Sequence, residues 1–205
     1  MTASSHKQRL IVAMTGASGA AYGLRLIERL ARAGVEQHVL ISDAARVVLR
    51  QEADVVLPEA AGDVAGYLAD RLGVEAAGLK SYALNDWFSP AASGSSGIEA
   101  MAVVPCSMGT MARIATGASD NLIERAADVM LKERGRLLLM PRETPLSSIH
   151  LEHMLKLSNL GVHIIPAMPG FYHRPQRIEE LVDFMVDRVM AHLGISPEGM
   201  LRWGA

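Results

Sequence analysis

The chain has 205 residues, a length that suits one domain large enough to bury a real core. Half of the residues are hydrophobic but only 4% are aromatic, so the core must be built from Ala, Val, Leu, Ile and Met. This favours layered α/β architecture over an aromatic-rich β-sandwich, and the net charge of −2 gives no basic field for binding nucleic acid.

Cys106 is the only cysteine, which excludes an intrachain disulfide and a multi-cysteine zinc site. The N-terminal MTASSHKQR is polar and leads directly into the strand-like LIVAM, which is too short for a signal-peptide core. No apolar run approaches the roughly 20 residues that span a bilayer. We therefore expect a soluble cytoplasmic protein without a membrane partner, folded as one domain over 1–205 with a polar tail at about 1–8.

Strand-like and helix-like segments alternate along the chain. In order, the patterns predict strand 9–15, helix 20–33, strand 35–42, helices 43–52 and 62–72, strand 100–105, helices 107–116 and 120–133, strand 136–140, helix 147–160, strand 162–166 and helix 177–193. This order predicts an open parallel sheet with helices on both faces. In such sheets ligands lie at the carboxyl ends of the strands, and four sequence motifs follow strands directly.

The first motif, MTGASGAAYG over 14–23, joins the first strand to the first helix. Glycines let backbone amides approach a phosphate, and a helix N-terminus favours negative charge. The spacing of Gly16, Gly19 and Gly23 is not G-x-G-x-x-G, so a dinucleotide site is only weakly indicated. A tight turn without a ligand is the alternative.

The second motif, CSMGT over 106–110, follows the apolar strand AMAVVP. Ser107, Gly109 and Thr110 would begin a helix with amides and hydroxyls suited to a phosphate or a ring carbonyl, and an ordinary helix cap is the alternative. No base is recognisable beside Cys106, which favours a small buried hydrophobe over a nucleophile.

Two further motifs concentrate charge. In NLIERAADVMLKE, Arg125, Asp128 and Lys132 are spaced to share one helical face, for which a solvated surface is the default interpretation. In PRETP, Arg142 and Glu143 lie in a loop between two prolines directly after a strand. That loop could present an acid beside a phosphate-binding guanidinium, and an exposed ion pair is the alternative.

The last motif, PGFYHRP over 169–175, concentrates aromatic residues in a chain that has few, which favours the wall of a ligand site. His150, Glu152 and His153 lie close together on a helix but lack the H-E-x-x-H spacing of a zinc site. We therefore expect surface or packing roles for these three residues and no bound metal.

Together these motifs resemble the flavin prenyltransferase (UbiX) family. The matching segments are MTGASGA, PAASGSS, PCSMGT, NLIERAADVMLKE, PRETPLSSIHLEHMLKLSNLG and PGFYHRP, in the family's order and over almost the whole chain. The resemblance implies a flavodoxin-like Rossmann fold, FMN as the flavin, and a homo-oligomer, usually a dodecamer of trimers, with FMN between subunits.

The resemblance also implies residue roles. The FMN contacts are expected at Gly16, Ala17, Ser18, Ser42, Ser107, Met108, Gly109, Thr110 and Arg142. The phosphate of dimethylallyl monophosphate is expected to be surrounded by Lys132, Arg142, Glu143, Tyr172 and Arg188. The catalytic positions are expected to be Ser18, Glu52, Trp87, Arg125, Lys132 and Glu143, with Trp87 as the aromatic wall of the prenyl pocket.

The activity implied is transfer of a dimethylallyl group to N5 and C6 of reduced FMN, giving prenylated FMN for a decarboxylase of the UbiD type. Departure of the monophosphate needs positive charge and a proton, and a developing dimethylallyl cation is stabilised by an aromatic face by roughly 0.5–2 kcal/mol. The rival functions are a flavin-dependent cysteine decarboxylase, an NAD(P)-dependent reductase and a non-catalytic flavin carrier. The prenyl-phosphate cluster of Arg125, Lys132, Glu143 and Arg188 favours transfer.

Overall fold

A computed structural model describes residues 8–196 of the chain. The polar tail expected at about 1–8 therefore lies, apart from its last residue, outside the described residues. Within 8–196 the structure has six strands and seven α-helices.

The strands are β1 (Arg9–Met14), β2 (Glu36–Ile41), β3 (Leu79–Ser81), β4 (Ala100–Cys106), β5 (Arg136–Pro141) and β6 (His163–Ile164). The helices are α1 (Ala20–Arg32), α2 (Asp43–Ala53), α3 (Val64–Leu72), α4 (Met108–Thr116), α5 (Leu122–Lys132), α6 (Ser148–Asn159) and α7 (Ile178–His192). The strand and helix order predicted from the sequence is confirmed, with one strand added.

The strands form one sheet in the order β3-β2-β1-β4-β5-β6, and every neighbouring pair is parallel. Without the short edge strand β3, the remaining five strands have the order of flavodoxin-like sheets. The order reverses between β1 and β4, which are direct neighbours. A crevice at the carboxyl ends of these two strands is where such folds bind ligands.

Two apolar cores flank the sheet because successive side chains of a strand point to opposite faces. Leu10 and Val12 of β1 pack in one core with α1, α3 and α7, whereas Ile11 and Ala13 pack in the other with α4, α5 and Leu157 of α6. The predicted layering, with helices on both faces, is confirmed.

The structure differs from the sequence prediction at the two edges of the sheet. β3 was not predicted because it has only three residues, of which Leu79 alone is buried, so no alternation is visible. The strand expected over 162–166 is reduced to two residues. Its chain stays beside β5 through backbone bonds from Ile165 and Ala167, but Pro166 has no N–H to donate.

Candidate active site

Thr15 joins the two loops that follow β1 and β4. Its amide and its hydroxyl both donate to the Pro105 carbonyl at 3.1 Å, and its Oγ1 accepts the Ser107 amide at 2.7 Å. The side chain is buried. These bonds fix the MTGASGA turn and the CSMGT turn side by side at the switch point of the sheet.

The first turn packs closely on α2. A Cβ at Gly16 would lie 2.5 Å from the Cβ of Ala44, so only glycine fits without displacing that helix. Ala17 is buried, whereas Ser18 is exposed. The backbone of this turn is therefore open to a ligand on its outer side.

The N-terminus of α1 holds a carboxylate of the chain itself. Oε2 of Glu52, near the end of α2, accepts the amides of Gly19 at 2.8 Å and Ala20 at 2.9 Å, and the Ser18 hydroxyl also bonds this carboxylate. The structure thus places Ser18 and Glu52 in direct contact. Negative charge is stabilising near a helix N-terminus, and Glu52 supplies that charge to α1. The backbone of the glycine turn is therefore left open to a ligand.

Partial burial alone would raise the pKa of the Glu52 carboxyl. The bonds from Ser18, Gly19 and Ala20, together with the positive charge of Arg142, outweigh burial and bring the pKa below its ordinary value. Arg142 therefore belongs to the same electrostatic environment as Glu52, although the two residues are far apart in sequence.

α4 begins at the same edge of the sheet. Oγ of its cap, Ser107, accepts the Thr110 amide at 3.3 Å and donates to the Thr110 hydroxyl at 3.1 Å. A helix leaves its first amides unpaired, here those of Met108 and Gly109. Ser42 caps α2 in the same way, with Oγ accepting the Ala45 amide at 3.1 Å. The ordinary-cap interpretation is thus correct for Ser107, and the open amides beside the cap remain available to a ligand.

Arg142 and Glu143 line a cavity of about 280 Å³ directly after β5, with Leu146, Met154 and Met168 among its apolar walls. Nε of Arg142 is buried and has no hydrogen-bond partner in the part of the chain that the structure describes. Glu143 is exposed, and its Oε1 accepts the neighbouring Thr144 amide at 3.2 Å. An ion pair between Arg142 and Glu143 is not found among the described contacts, which weighs against the exposed-pair interpretation.

The aromatic loop after β6 packs on α7. The Tyr172 ring lies edge-on to Phe184 with centroids 5.7 Å apart, and the His173 ring stacks on Phe184 at 5.3 Å. Arg188 lies one helical turn beyond Phe184 on the same helix, and its side chain is exposed. Tyr172 and Arg188 thus flank one aromatic residue on the surface.

The other predicted site residues lie elsewhere on the surface. Trp87 is half exposed in a loop that packs on α5, where Nε of Arg125 donates to the Ala92 carbonyl at 3.1 Å. Arg125 also pairs with Asp128 at 2.9 Å, which confirms their shared helical face. Lys132, at the end of α5, pairs with Glu133.

Lys132 lies near the amino edge of the sheet, whereas Arg142 and Glu143 lie at the carboxyl edge. Glu133 touches the loop at Gly94, close to where β4 begins. Arg136 starts β5, and this six-residue strand spans roughly 20 Å before Arg142. The chain by itself does not bring Lys132 to Arg142 and Glu143.

Sequence reasoning missed Thr15 and the apolar walls of the cavity. Thr15 stands at the end of a strand just before the glycine turn, and a hydroxyl in that position is a weak signal of a bond between neighbouring loops. Leu146, Met154 and Met168 come from three separate segments, so no local pattern could have grouped them.

Other sequence expectations concern metal-ligating residues, the single cysteine and membrane-spanning segments. No cluster of three or more His, Cys, Asp or Glu able to hold a metal occurs among residues 8–196. Nδ1 of His150 accepts the Ser147 amide and closes the cap of α6, a structural role. Burial raises the pKa of the Cys106 thiol to about 12, which agrees with an inert core residue. None of the helices in the described part of the chain is long and apolar enough to cross a membrane.

Comparison with known proteins groups this chain with flavoproteins. The Flavoprotein family model matches residues 1–190. The flavin prenyltransferase UbiX of Pseudomonas aeruginosa is 54% identical over 200 residues, which cover 98% of this chain and 96% of the relative.

Two solved structures are similar to this chain in both fold and sequence. AnUbiX (PadA1), crystallised with FMN and dimethylallyl pyrophosphate, matches with a TM-score of 0.86 and 40% identity over 98% of this chain and 99% of its own. A dodecameric FMN-dependent UbiX-like decarboxylase from Escherichia coli O157:H7 matches with a TM-score of 0.84 and 41% identity over 97% and 100%. The chain belongs to the flavin prenyltransferase (UbiX) family of flavoproteins.

Proposed function

We propose that this protein joins the dimethylallyl group of dimethylallyl monophosphate to N5 and C6 of reduced FMN and so makes prenylated FMN. The observation that carries the proposal is the convergence, at one edge of the sheet, of the Ser18–Glu52 pair, the N-terminus of α4 and the buried Nε of Arg142, which has no partner among the described residues. The P. aeruginosa relative bears the name of this activity, and AnUbiX was crystallised with FMN and dimethylallyl pyrophosphate.

The residues at the carboxyl edge fit a flavin mononucleotide. The glycine turn 16–18 has an exposed outer side, α4 offers its first amides, and Ser42 lies at the start of α2. A guanidinium nitrogen that is buried without a partner calls for an acceptor, which a phosphate or a ring carbonyl supplies. When bound and reduced, FMN supplies the nucleophilic ring atoms that the reaction needs.

The chain's own residues handle the phosphate and the protons. Arg142 holds the phosphate of the donor by charge-assisted hydrogen bonds, with Tyr172 and Arg188 on the neighbouring surface. Glu143, beside Arg142 in the cavity, donates a proton to the departing phosphate. Closing the ring at C6 releases the C6 proton and consumes the dimethylallyl double bond, whose other carbon must take up a proton. The Ser18–Glu52 pair relays the proton between these two positions.

The site is completed by a second copy of the chain. That copy contributes the surface that carries Trp87, Arg125 and Lys132. Trp87 presents an aromatic face to the developing positive charge of the dimethylallyl group, and Lys132 adds positive charge for the phosphate. Burial between two copies also excludes water. A homo-oligomer, as in the dodecameric E. coli relative, meets this requirement.

Two further elements belong to the proposal. The product is passed to a decarboxylase of the UbiD type, which uses prenylated FMN as its cofactor. The protein acts in the cytoplasm, where a single buried thiol such as Cys106 stays reduced.

Incubation of the full-length protein with reduced FMN and dimethylallyl monophosphate under anaerobic conditions tests the function. We expect a flavin product whose mass exceeds that of FMN by one dimethylallyl group, formed equally well in the presence of a chelator. Unchanged FMN, together with oxidative decarboxylation of a cysteine peptide, would instead favour the cysteine decarboxylase. Loss of turnover with chelator and its return with Mg²⁺ would contradict the metal-free phosphate site.

A further inference from the structure

Two arginines of α1 and two aspartates of α7 join these helices by ion pairs at two successive turns. Arg25 donates to both carboxylate oxygens of Asp183, from Nε at 2.6 Å and from Nη2 at 2.9 Å. One turn further along both helices, Nη2 of Arg29 lies 2.9 Å from Oδ1 of Asp187. Nη1 of Arg29 also reaches back to Oδ1 of Asp183 at 3.4 Å. We call these four residues the α1–α7 network.

The α1–α7 network is partly buried, with side chains between 14% and 33% exposed. The hydrogen bond from Arg25 outweighs burial and holds the pKa of the Asp183 carboxyl below its ordinary value, so this group is ionised at neutral pH. Apolar packing between helices is non-directional, whereas a bidentate guanidinium–carboxylate pair fixes one geometry. The network therefore sets the position of α7 along α1.

The position of α1 is in turn tied to the proposed FMN site. The two ion pairs follow each other in the same order on both helices, so α1 and α7 run parallel, away from the carboxyl edge of the sheet. α1 begins at that edge, where Glu52 accepts the amides of Gly19 and Ala20. A shift of α7 by one residue would move its side chains about 1.5 Å along the axis relative to the FMN turn.

The proposed donor-phosphate site lies directly beside the network on α7. Phe184 follows Asp183 in the sequence, and Arg188 follows Asp187. Phe184 and Arg188 are themselves one helical turn apart, so their side chains share a face adjacent to that of the two aspartates. Any shift or rotation of α7 is therefore transmitted to Arg188.

The same helix holds the aromatic loop through ring contacts. The rings of Tyr172 and His173 both pack on Phe184, and both ring nitrogens of His173 are buried without a hydrogen-bond partner in the described part of the chain. A Cβ at Gly170 would lie 2.9 Å from Cε1 of Tyr172 and 3.0 Å from Cζ of Phe184. The loop backbone is thus closely packed on these rings, and displacement of Phe184 must displace Tyr172.

From these contacts we infer that Asp183 and Asp187 are positioning residues of the donor-phosphate site. Through the α1–α7 network they hold α7 in the position that brings Arg188 and Tyr172 to the phosphate of the dimethylallyl donor. This inference rests on the proposed function, which assigns that phosphate to Tyr172 and Arg188. The two aspartates act through α7 and not by contact with the donor.

Donor binding by an Asp183→Asn variant tests the inference without requiring turnover. Isothermal titration of dimethylallyl monophosphate into the full-length protein loaded with oxidised FMN measures the affinity. We expect binding about tenfold weaker than in the parent, because the neutral amide cannot hold Arg25 by a charged bidentate pair, with FMN affinity unchanged. An unchanged donor affinity would overturn the inference.

Glu36→Gln is the matched control. The Glu36 carboxylate is also partly buried between two cations, Lys80 at 2.8 Å and Arg9 at 3.3 Å, but it lies at the start of β2, at the amino edge of the sheet. This variant should lose stability on thermal unfolding, as Asp183→Asn does, and should keep the parental donor affinity. Equal weakening of donor binding in both variants would indicate general structural damage and refute the positioning role.

A second background separates positioning from stability. In a chain that already carries Arg188→Ala and Tyr172→Phe, Asp183→Asn should weaken donor binding by less than about twofold, since the groups that it positions are gone. The same tenfold loss in both backgrounds would contradict the inference. A parent that binds the monophosphate but makes no prenylated FMN would refute the proposed function alone. Product formation with an equal KM for the donor in the parent and in Asp183→Asn would refute the positioning role alone, and a parent without measurable donor binding would refute both.

Discussion

Glu143 has few contacts in the isolated chain, since its carboxylate is exposed and accepts one backbone hydrogen bond, from Thr144. Arg142 beside it is constrained differently, with a buried Nε that lacks a partner among residues 8–196. The two side chains thus differ: Arg142 has a buried donor that needs an acceptor, whereas the Glu143 carboxylate is open to solvent. This division suits a phosphate site in which binding and proton donation belong to different side chains.

Glu143→Gln keeps the shape of the side chain and removes its titratable group. FMN should still bind, because Arg142, the glycine turn and α4 are untouched. Prenyl transfer should slow by roughly 10²–10⁴-fold, the usual contribution of a positioned acid or base. Single-turnover product formation, with FMN occupancy measured by absorbance, checks this. Transfer at the parental rate with FMN bound would remove Glu143 from the mechanism.

Glu52 makes the stability of the fold depend on pH, because its pKa in the folded chain is depressed below the ordinary value near 4.5. The unfolded chain then binds the proton at higher pH than the folded chain. The stabilising contribution is complete above about pH 4.5 and is lost as the pH falls through the lower folded-state value.

Glu52→Gln should therefore lower the free energy of unfolding at pH 7 by about 0.3–1 kcal/mol, at the lower end in high salt because the side chain is exposed. The difference from the parent should shrink as the pH falls below 4.5. Urea unfolding between pH 3.5 and 7 checks this, with Glu75→Gln, which caps no amide, as the control. A stability difference that stays constant with pH would contradict the capping role of this carboxylate.

At the scale of elements, the two helices that begin at the switch point, α1 and α4, differ in how their N-termini are capped. Among the described contacts, the N-terminus of α1 is bonded by Glu52, whereas α4 is capped by the side chain of its own Ser107. α2 is drawn close to the first turn, with Ala44 directly opposite Gly16. The spacing of three elements thus sets the ligand crevice.

Gly16→Ala tests this spacing. The added Cβ would lie 2.5 Å from the Ala44 Cβ, closer than packed carbon atoms allow, so the turn and α2 must separate. We expect weaker FMN binding by at least about tenfold and a loss of roughly 1–3 kcal/mol in stability. Gly66→Ala in α3, where an added Cβ meets nothing within 4 Å, should instead leave FMN binding unchanged and stabilise by about 0.5–1 kcal/mol. Isothermal titration with FMN and thermal unfolding measure both effects, and equal FMN affinity for Gly16→Ala and the parent would contradict the close packing.

At the scale of the whole molecule, the candidate site is divided. Glu52, Arg142 and Glu143 lie at the carboxyl edge of the sheet, while Lys132 lies near the amino edge, a strand length away. Under the proposed function, the two halves of one chain therefore contribute to two different sites.

Mixing of inactive variants tests the division. An equal mixture of the Lys132→Ala and Glu143→Gln variants, unfolded together and reassembled, should regain up to about a quarter of the parental activity. In random assembly, about a quarter of the sites combine an intact Lys132 from one copy with an intact Glu143 from another. Glu52→Gln mixed with Glu143→Gln is the matched control, since both residues belong to one half and no assembly restores it. Product mass per subunit gives the readout. Equal activity for the two mixtures would contradict a site shared between copies.

The sequence by itself determined the alternation of strands and helices and the placement of the motifs after strands. Both follow from local periodicity and from glycine, proline and cap residues, which are legible in one short window. The resemblance of the motifs indicated the family before any distance was known, and the family is confirmed. The short strand β3 could not be predicted, because three residues are too few to show an alternation of buried and exposed side chains.

Only the tertiary structure decided which residues meet. It placed the Glu52 carboxylate on the amides of α1 and tied the first two motifs together through Thr15. It left a buried nitrogen of Arg142 without a partner in the described part of the chain. It also separated Lys132 from Glu143. Contacts between distant segments depend on the register of the sheet and on how helices pack against it, and no local pattern in the sequence records either one.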